Sequence, residues 1–118
     1  MAKQSIVFDD SVSALPIFGV TAAPATTGAM SVPMTSRIVT ITPTGACTFN
    51  AAIAGGIGQE VTFAITTSGT SSFTLTWGTN FRKVGTLATG TTSARFFTVT
   101  FISDGTRWWE QCRTAAQT

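Results

Sequence analysis

Apolar and polar residues alternate with period two along most of the chain beyond Arg37. The run Gln59 to Thr67 shows it most clearly: Val61, Phe63 and Ile65 hold one set of positions and Glu60, Thr62 and Thr66 the other. That spacing predicts a strand with one face toward a core. Phe73, Leu75 and Trp77 repeat it against Thr74 and Thr76, and the Gly-containing link Ser68 to Ser72 predicts a hairpin joining the two runs. Arg37 to Thr42 alternates through Ile38, Val39 and Ile41 and stops at the turn Pro43-Thr44-Gly45. Cys47 and Phe49 then alternate with Thr48 and Asn50. Arg95 to Ser103 carries apolar residues on both faces, Phe97, Val99 and Phe101 against Phe96 and Ile102, so its second face is expected to be covered by something besides the core. Asp104-Gly105 is the strongest turn signal, and Arg107 to Arg113 returns from it as a last strand.

Other stretches are less regular. Ala54-Gly55-Gly56-Ile57-Gly58 is expected as a flexible loop. Between Gly78 and Ser93, Phe81, Val84 and Leu87 are expected to point inward, with Gly85 and Gly90 as turn points. Long Thr and Gly runs lack helix propensity, and short strands at this spacing predict an all-β fold, an antiparallel β-sandwich or jelly roll. Before Arg37 the pattern fails: residues 1–36 hold Pro16, Pro24 and Pro33, and Val20 to Ser36 shows neither strand nor helix periodicity. An extended N-terminal arm over 1–36 and a body over 37–118 follow. Two apolar islands in the arm, Ile6-Val7-Phe8 and Leu15-Pro16-Ile17-Phe18, either fold back as edge strands or pack on a neighbouring subunit.

The composition narrows the chemistry. The 118 residues include no histidine or tyrosine, and only 10% are charged. The acids are Asp9, Asp10, Glu60, Asp104 and Glu110. Adjacent Asp9 and Asp10 on an extended strand point to opposite faces and cannot easily share a ligand. The glycine-rich loop has no Lys or Ser/Thr at phosphate-binding spacing. A hydrolase would need a carboxylate pair drawn from Glu60, Asp104 and Glu110. No cofactor, metal or enzymatic activity is therefore expected. The formal charge of +2, with the basic residues spread along the chain, argues against a nucleic-acid partner. No apolar run is long enough to cross a membrane and the start does not read as a signal peptide, so synthesis in the cytoplasm is expected, with Cys47 and Cys112 as buried thiols rather than a disulfide.

Trp108 and Trp109 are neighbours, so one points to the core and the other outward. The outward ring can cover a subunit contact, pack within the domain, or, with Trp77, stack on a sugar. Arg82-Lys83 is the only adjacent basic pair, either a solvated turn or a contact with an acidic neighbour surface.

The runs Gly58-Gln59-Glu60-Val61-Thr62-Phe63, Leu75-Thr76-Trp77-Gly78-Thr79-Asn80-Phe81 and Phe97 to Glu110, with its strand, Asp-Gly turn and Trp strand, resemble a β-module of tailed-bacteriophage virion proteins. Such modules occur in head decoration (cement) proteins and in tail or head fibres, and the resemblance covers residues 55 to 115. It implies a trimeric sandwich or jelly roll on the outside of a particle, here a capsid decoration protein on the outer surface of the virion that bridges neighbouring major capsid subunits. On that expectation Ile6, Val7, Phe8, Leu15, Ile17 and Phe18 anchor the arm, Arg82 and Lys83 make a polar contact, and Phe96 and Trp108 lie at the oligomer face. The alternative is a receptor-binding or fibre-tip module that recognises a host surface glycan.

Overall fold

The computed structural model describes residues 19–51, 53–82 and 85–114. They form an all-β structure of strands β1 (Val20–Ala22), β2 (Gly28–Val32), β3 (Ile38–Ile41), β4 (Cys47–Ala51), β5 (Glu60–Thr66), β6 (Thr74–Trp77), β7 (Phe81–Arg82), β8 (Leu87–Ala88), β9 (Phe96–Ser103) and β10 (Trp108–Arg113). Two sheets enclose one core, a six-stranded sheet in the order β1-β3-β5-β9-β10-β7 and a four-stranded sheet in the order β2-β4-β6-β8.

From β1 to β6 the chain winds. It crosses to the opposite sheet after each strand and returns one position further along, so Val20 lies beside Ile38 and Ile38 beside Thr62 in one sheet. Gly28 beside Cys47 and Cys47 beside Leu75 follow the same rule in the other. Strands that meet after such a double crossing run parallel. Five of the eight pairings are parallel, so the sheets are mixed where an antiparallel sandwich was expected. The expected hairpin between β5 and β6 is absent for the same reason: β5 pairs with β3 and β9, β6 with β4 and β8. Crossing lets the inward faces of the two strands meet. Phe63 on β5 packs edge-on against Trp77 on β6 at a ring separation of 5.6 Å, and against Phe101 on β9 at 5.7 Å. Phe49 closes the cluster 5.1 Å from Phe63. Each such pair adds about 0.5–1.5 kcal/mol beyond its area burial.

The body begins earlier than the pattern indicates. Met30, Val32 and Met34 are buried core residues, and β1 and β2 are paired strands, so residues 20–36 belong to the sandwich and not to an arm. Met30, Val32 and Met34 alternate with Ser31, Pro33 and Thr35, but Pro33 within the run and Gly28 before it weaken it as a strand signal. The glycine-rich loop is also fastened rather than flexible. Ser103 donates its hydroxyl to the Ala54 carbonyl and its amide to the Gln59 carbonyl, and its own carbonyl accepts from Gly58 N at 2.8 Å. Phe81 is buried and Leu87 half-buried as expected, while Val84 lies outside the described residues. Both cysteines are free thiols, but only Cys47 is buried; Cys112 is exposed.

Candidate functional site

The two sheets present very different outer faces. Residues that alternate with the buried positions of the four-stranded sheet are small or polar: Ala29, Ser31, Thr48, Asn50, Thr74 and Thr76. Those of the six-stranded sheet include Val20, Ile38, Phe96, Ile102 and Trp109 among threonines. Val20, Phe96 and Trp109 remain 66%, 54% and 49% exposed. Val20 stands beside Ile38 and Ile102 beside Trp109, with Phe96 at the other end of β9. Neighbouring exposed apolar side chains of this kind are candidates for a contact surface.

The turn between β9 and β10 decides which tryptophan lies on that face. It pairs Ser103 with Trp108, and because Ser103 is an inward position, Trp108 is inward too. Trp108 is fully buried and donates its indole N–H to the Ile53 carbonyl at 2.8 Å. It is therefore an interior residue with no surface to offer an oligomer face, and the outward ring is Trp109. Trp77 is fully buried as well, so the paired-aromatic platform of the glycan alternative is not assembled.

Trp109 is held in place. Its indole N–H donates to Asp104 Oδ2 at 2.7 Å, while Asp104 Oδ1 accepts from the backbone of Thr106 at 2.7 Å and of Arg107 at 2.6 Å. These donors favour the ionised carboxylate and lower the Asp104 pKa to about 2, the Trp109 indole contributing most, then the Arg107 and Thr106 amides. One carboxylate thus fixes both the turn and the ring. On either side of Trp109 in the sheet stand Ile102 and Arg82. Glu60 is the next residue beyond Ile102. The outward row across four adjacent strands is therefore Glu60, Ile102, Trp109, Arg82.

Glu110 serves a different purpose. Residues three apart on a regular strand face opposite ways. A bulge between Glu110 and Cys112 shifts the register, so that Glu110 opposes Phe101 and Arg113 opposes Val99, both inward positions. The two side chains then form a two-pronged pair, Nε to Oε2 at 2.6 Å and Nη2 to Oε1 at 2.8 Å, and Arg113 also donates to the Thr86 carbonyl. Asp104 and Glu110 are thus engaged in structural contacts, and among the described residues no group of three cysteine or acidic side chains converges.

Of the residues singled out from sequence, the structure places Arg82 beside Trp109 and Phe96 at the start of β9, both exposed on the six-stranded sheet. Ile6, Val7, Phe8, Leu15, Ile17, Phe18 and Lys83 lie outside the described residues. Val20 and Ile38 were missed as surface residues, and Trp109 was one of two candidates for the outward ring; apolar residues at outward positions of an otherwise threonine-bearing face are the signal that finds them. No family model, curated protein or solved structure matches the chain.

Proposed function

We propose that this chain is a non-enzymatic structural protein of a tailed-bacteriophage virion, a capsid decoration protein that binds the outer capsid and bridges neighbouring major capsid subunits. The observation that carries the proposal is the inequality of the two outer faces: one small and polar, the other bearing Val20, Ile38, Phe96, Ile102 and a fixed Trp109. A low density of charge and threonine-rich strands suit contact with a broad, flat protein surface. Apolar burial contributes about 25 cal/mol per Å² before the costs of association are subtracted. The arm of this proposal is the segment before Gly19, with Ile6, Val7, Phe8, Leu15, Ile17 and Phe18 as its anchors. Arm and face engaging adjacent subunits act as linked sites, so internal pressure must break both together.

Co-sedimentation with capsids that lack the protein tests it. Saturable binding is expected of the full-length chain, and weaker binding of two variants, Val20→Asp on the face and Ile6→Ser/Phe8→Ser/Ile17→Ser in the arm. No binding by the full-length chain would overturn the proposal and favour the glycan-binding alternative, for which Trp109 is the exposed tryptophan to substitute.

A further inference from the structure

The outward row Glu60, Ile102, Trp109, Arg82 has an acid at one end, a base at the other and two large apolar side chains between them. Its ends lie three strands apart, about 14 Å at the usual strand spacing. Neither charged group is held in an ion pair among the described residues. Consider a two-fold axis in the plane of this face, parallel to the strands and midway between β9 and β10. It lays the row on its own reverse: Glu60 meets the partner's Arg82, and Ile102 meets the partner's Trp109. Both ion pairs and both apolar contacts form at once.

We propose that the outer face of β5, β9, β10 and β7 is a two-fold contact with a second copy of this chain, with Trp109 at its centre and Glu60 and Arg82 setting its register. The order of charges selects this occupant, because a row antisymmetric about its middle is complementary to itself under that rotation. The rotation also brings the two sheets together with their strands aligned, a favoured way for sheets to stack. Trp109 suits the central place: it is an aromatic anchor whose rotation Asp104 already restricts, so little side-chain freedom is lost on contact. Four strands by the length of β5 cover roughly 450 Å² per copy, below the ~800 Å² of a standard interface. The contact is consequently weak in dilute solution. It covers Ile102 and Trp109, which belong to the proposed capsid-binding face, so the two contacts compete for that part of the sheet, and only Val20 and Ile38, on β1 and β3, lie outside the overlap. It does not depend on capsid binding.

Sedimentation equilibrium of the full chain up to about millimolar concentration is the test, with circular dichroism of each variant to confirm folding. A monomer–dimer equilibrium is expected that weakens with added salt. Glu60→Arg and Arg82→Glu each place like charges opposite one another and are expected to weaken it about tenfold or more. The double variant Glu60→Arg/Arg82→Glu restores opposite charges at both ends and is expected to regain dimerisation. A chain that stays monomeric, a trimer such as the phage resemblance implies, single reversals without effect, or a double variant as weak as the singles each overturn the two-fold contact. Those outcomes leave the capsid co-sedimentation result untouched, so the two proposals fail separately.

Discussion

Starting the chain at Arg37 instead of Gly19 removes β1 and β2, and with them Met30, Val32 and Met34. Val32 and Met34 are fully buried and Met30 nearly so. Full burial of such side chains stabilises by about 1.5–3 kcal/mol each, so the three together represent roughly 5–9 kcal/mol. This is an upper figure, because a compact denatured chain already buries part of the same surface. The parallel ladder of β2 on β4 is lost as well, at about 0.5–1.5 kcal/mol per hydrogen bond. So is the bond from the Gln59 side-chain Nε2 to the Met34 carbonyl, which fastens the start of β5. A domain of this size has about 5–15 kcal/mol of stability in all, so the loss is comparable with the whole.

The chain starting at Gly19 keeps all of the described core and is expected to unfold cooperatively in urea. The chain starting at Arg37 is expected to show no cooperative transition. Tryptophan fluorescence reports both outcomes, because Trp77 and Trp108 are fully buried when the core is intact and shift to longer wavelength when it is not. A cooperative transition at an unchanged midpoint in the shorter chain would refute the placement of residues 20–36 in the body.

Three further expectations follow from single contacts. Gly55 has a φ of +77°, and a Cβ there would lie 2.6 Å from Cζ2 of Trp108, so Gly55→Ala is expected to cost about 2–4 kcal/mol of backbone strain and displaced core. Gly56→Ala, with open space around the new Cβ, is the matched control and is expected to be near neutral in thermal unfolding. Glu110→Gln removes the carboxylate from a pair in which the Glu110 and Arg113 side chains are 4% and 25% exposed. A loss of about 1–3 kcal/mol in urea is expected, more than a surface pair provides; a loss within experimental error would show the pair to be incidental. The Asp104 pKa is lower in the folded chain, about 2, than its ordinary 3.8, so its contribution to stability is complete above the ordinary value and is lost as pH falls through about 2. The Trp109 indole N–H resonance is expected to titrate near that lower value, and a midpoint near 3.8 would count against the bond to Asp104.

Strands β3, β4, β5, β6 and β9 were legible because each carries a run of alternation, and β10 because it follows the Asp104-Gly105 turn; β7 and β8, two residues each, carry no such run. Partnership was not legible. Alternation defines the two faces of β5 and β6 but says nothing of which strand lies beside them, and the link 67–73 serves a sheet crossing as readily as a hairpin. The site was readable in part. Phe96 and Ile102 stand out as apolar residues on the second face of β9, and Arg82 as half of a basic pair. The choice between Trp108 and Trp109 depends on the register of the turn after Ser103: one residue more or fewer would reverse it. The bulge that joins Glu110 to Arg113 has no signature at all, since three-residue spacing on a strand implies opposite faces.

The winding also explains how the two outer faces come to differ. Consecutive strands from β1 to β6 go to different sheets, so a residue's outer face depends on whether its strand is odd or even in this part of the chain. The odd strands β1 and β3 project Val20 and Ile38, the even strands β2, β4 and β6 only small or polar side chains. The later strands β9 and β10 join the sheet of the odd strands and add Phe96, Ile102 and Trp109 to the same side. Segments far apart in sequence therefore supply one apolar face, although the chain passes through the other sheet between β1, β3 and β5. Folding stability does not require that segregation, because these residues lie outside the core. It gathers three of the large exposed apolar side chains, Val20, Phe96 and Trp109, on one sheet, the others being Ile53 and Ile57 in the loop before β5. The proposed two-fold contact, whose register the charge order along the row of Trp109 sets, would bury the Ile102 and Trp109 part of that face against a second copy of this chain.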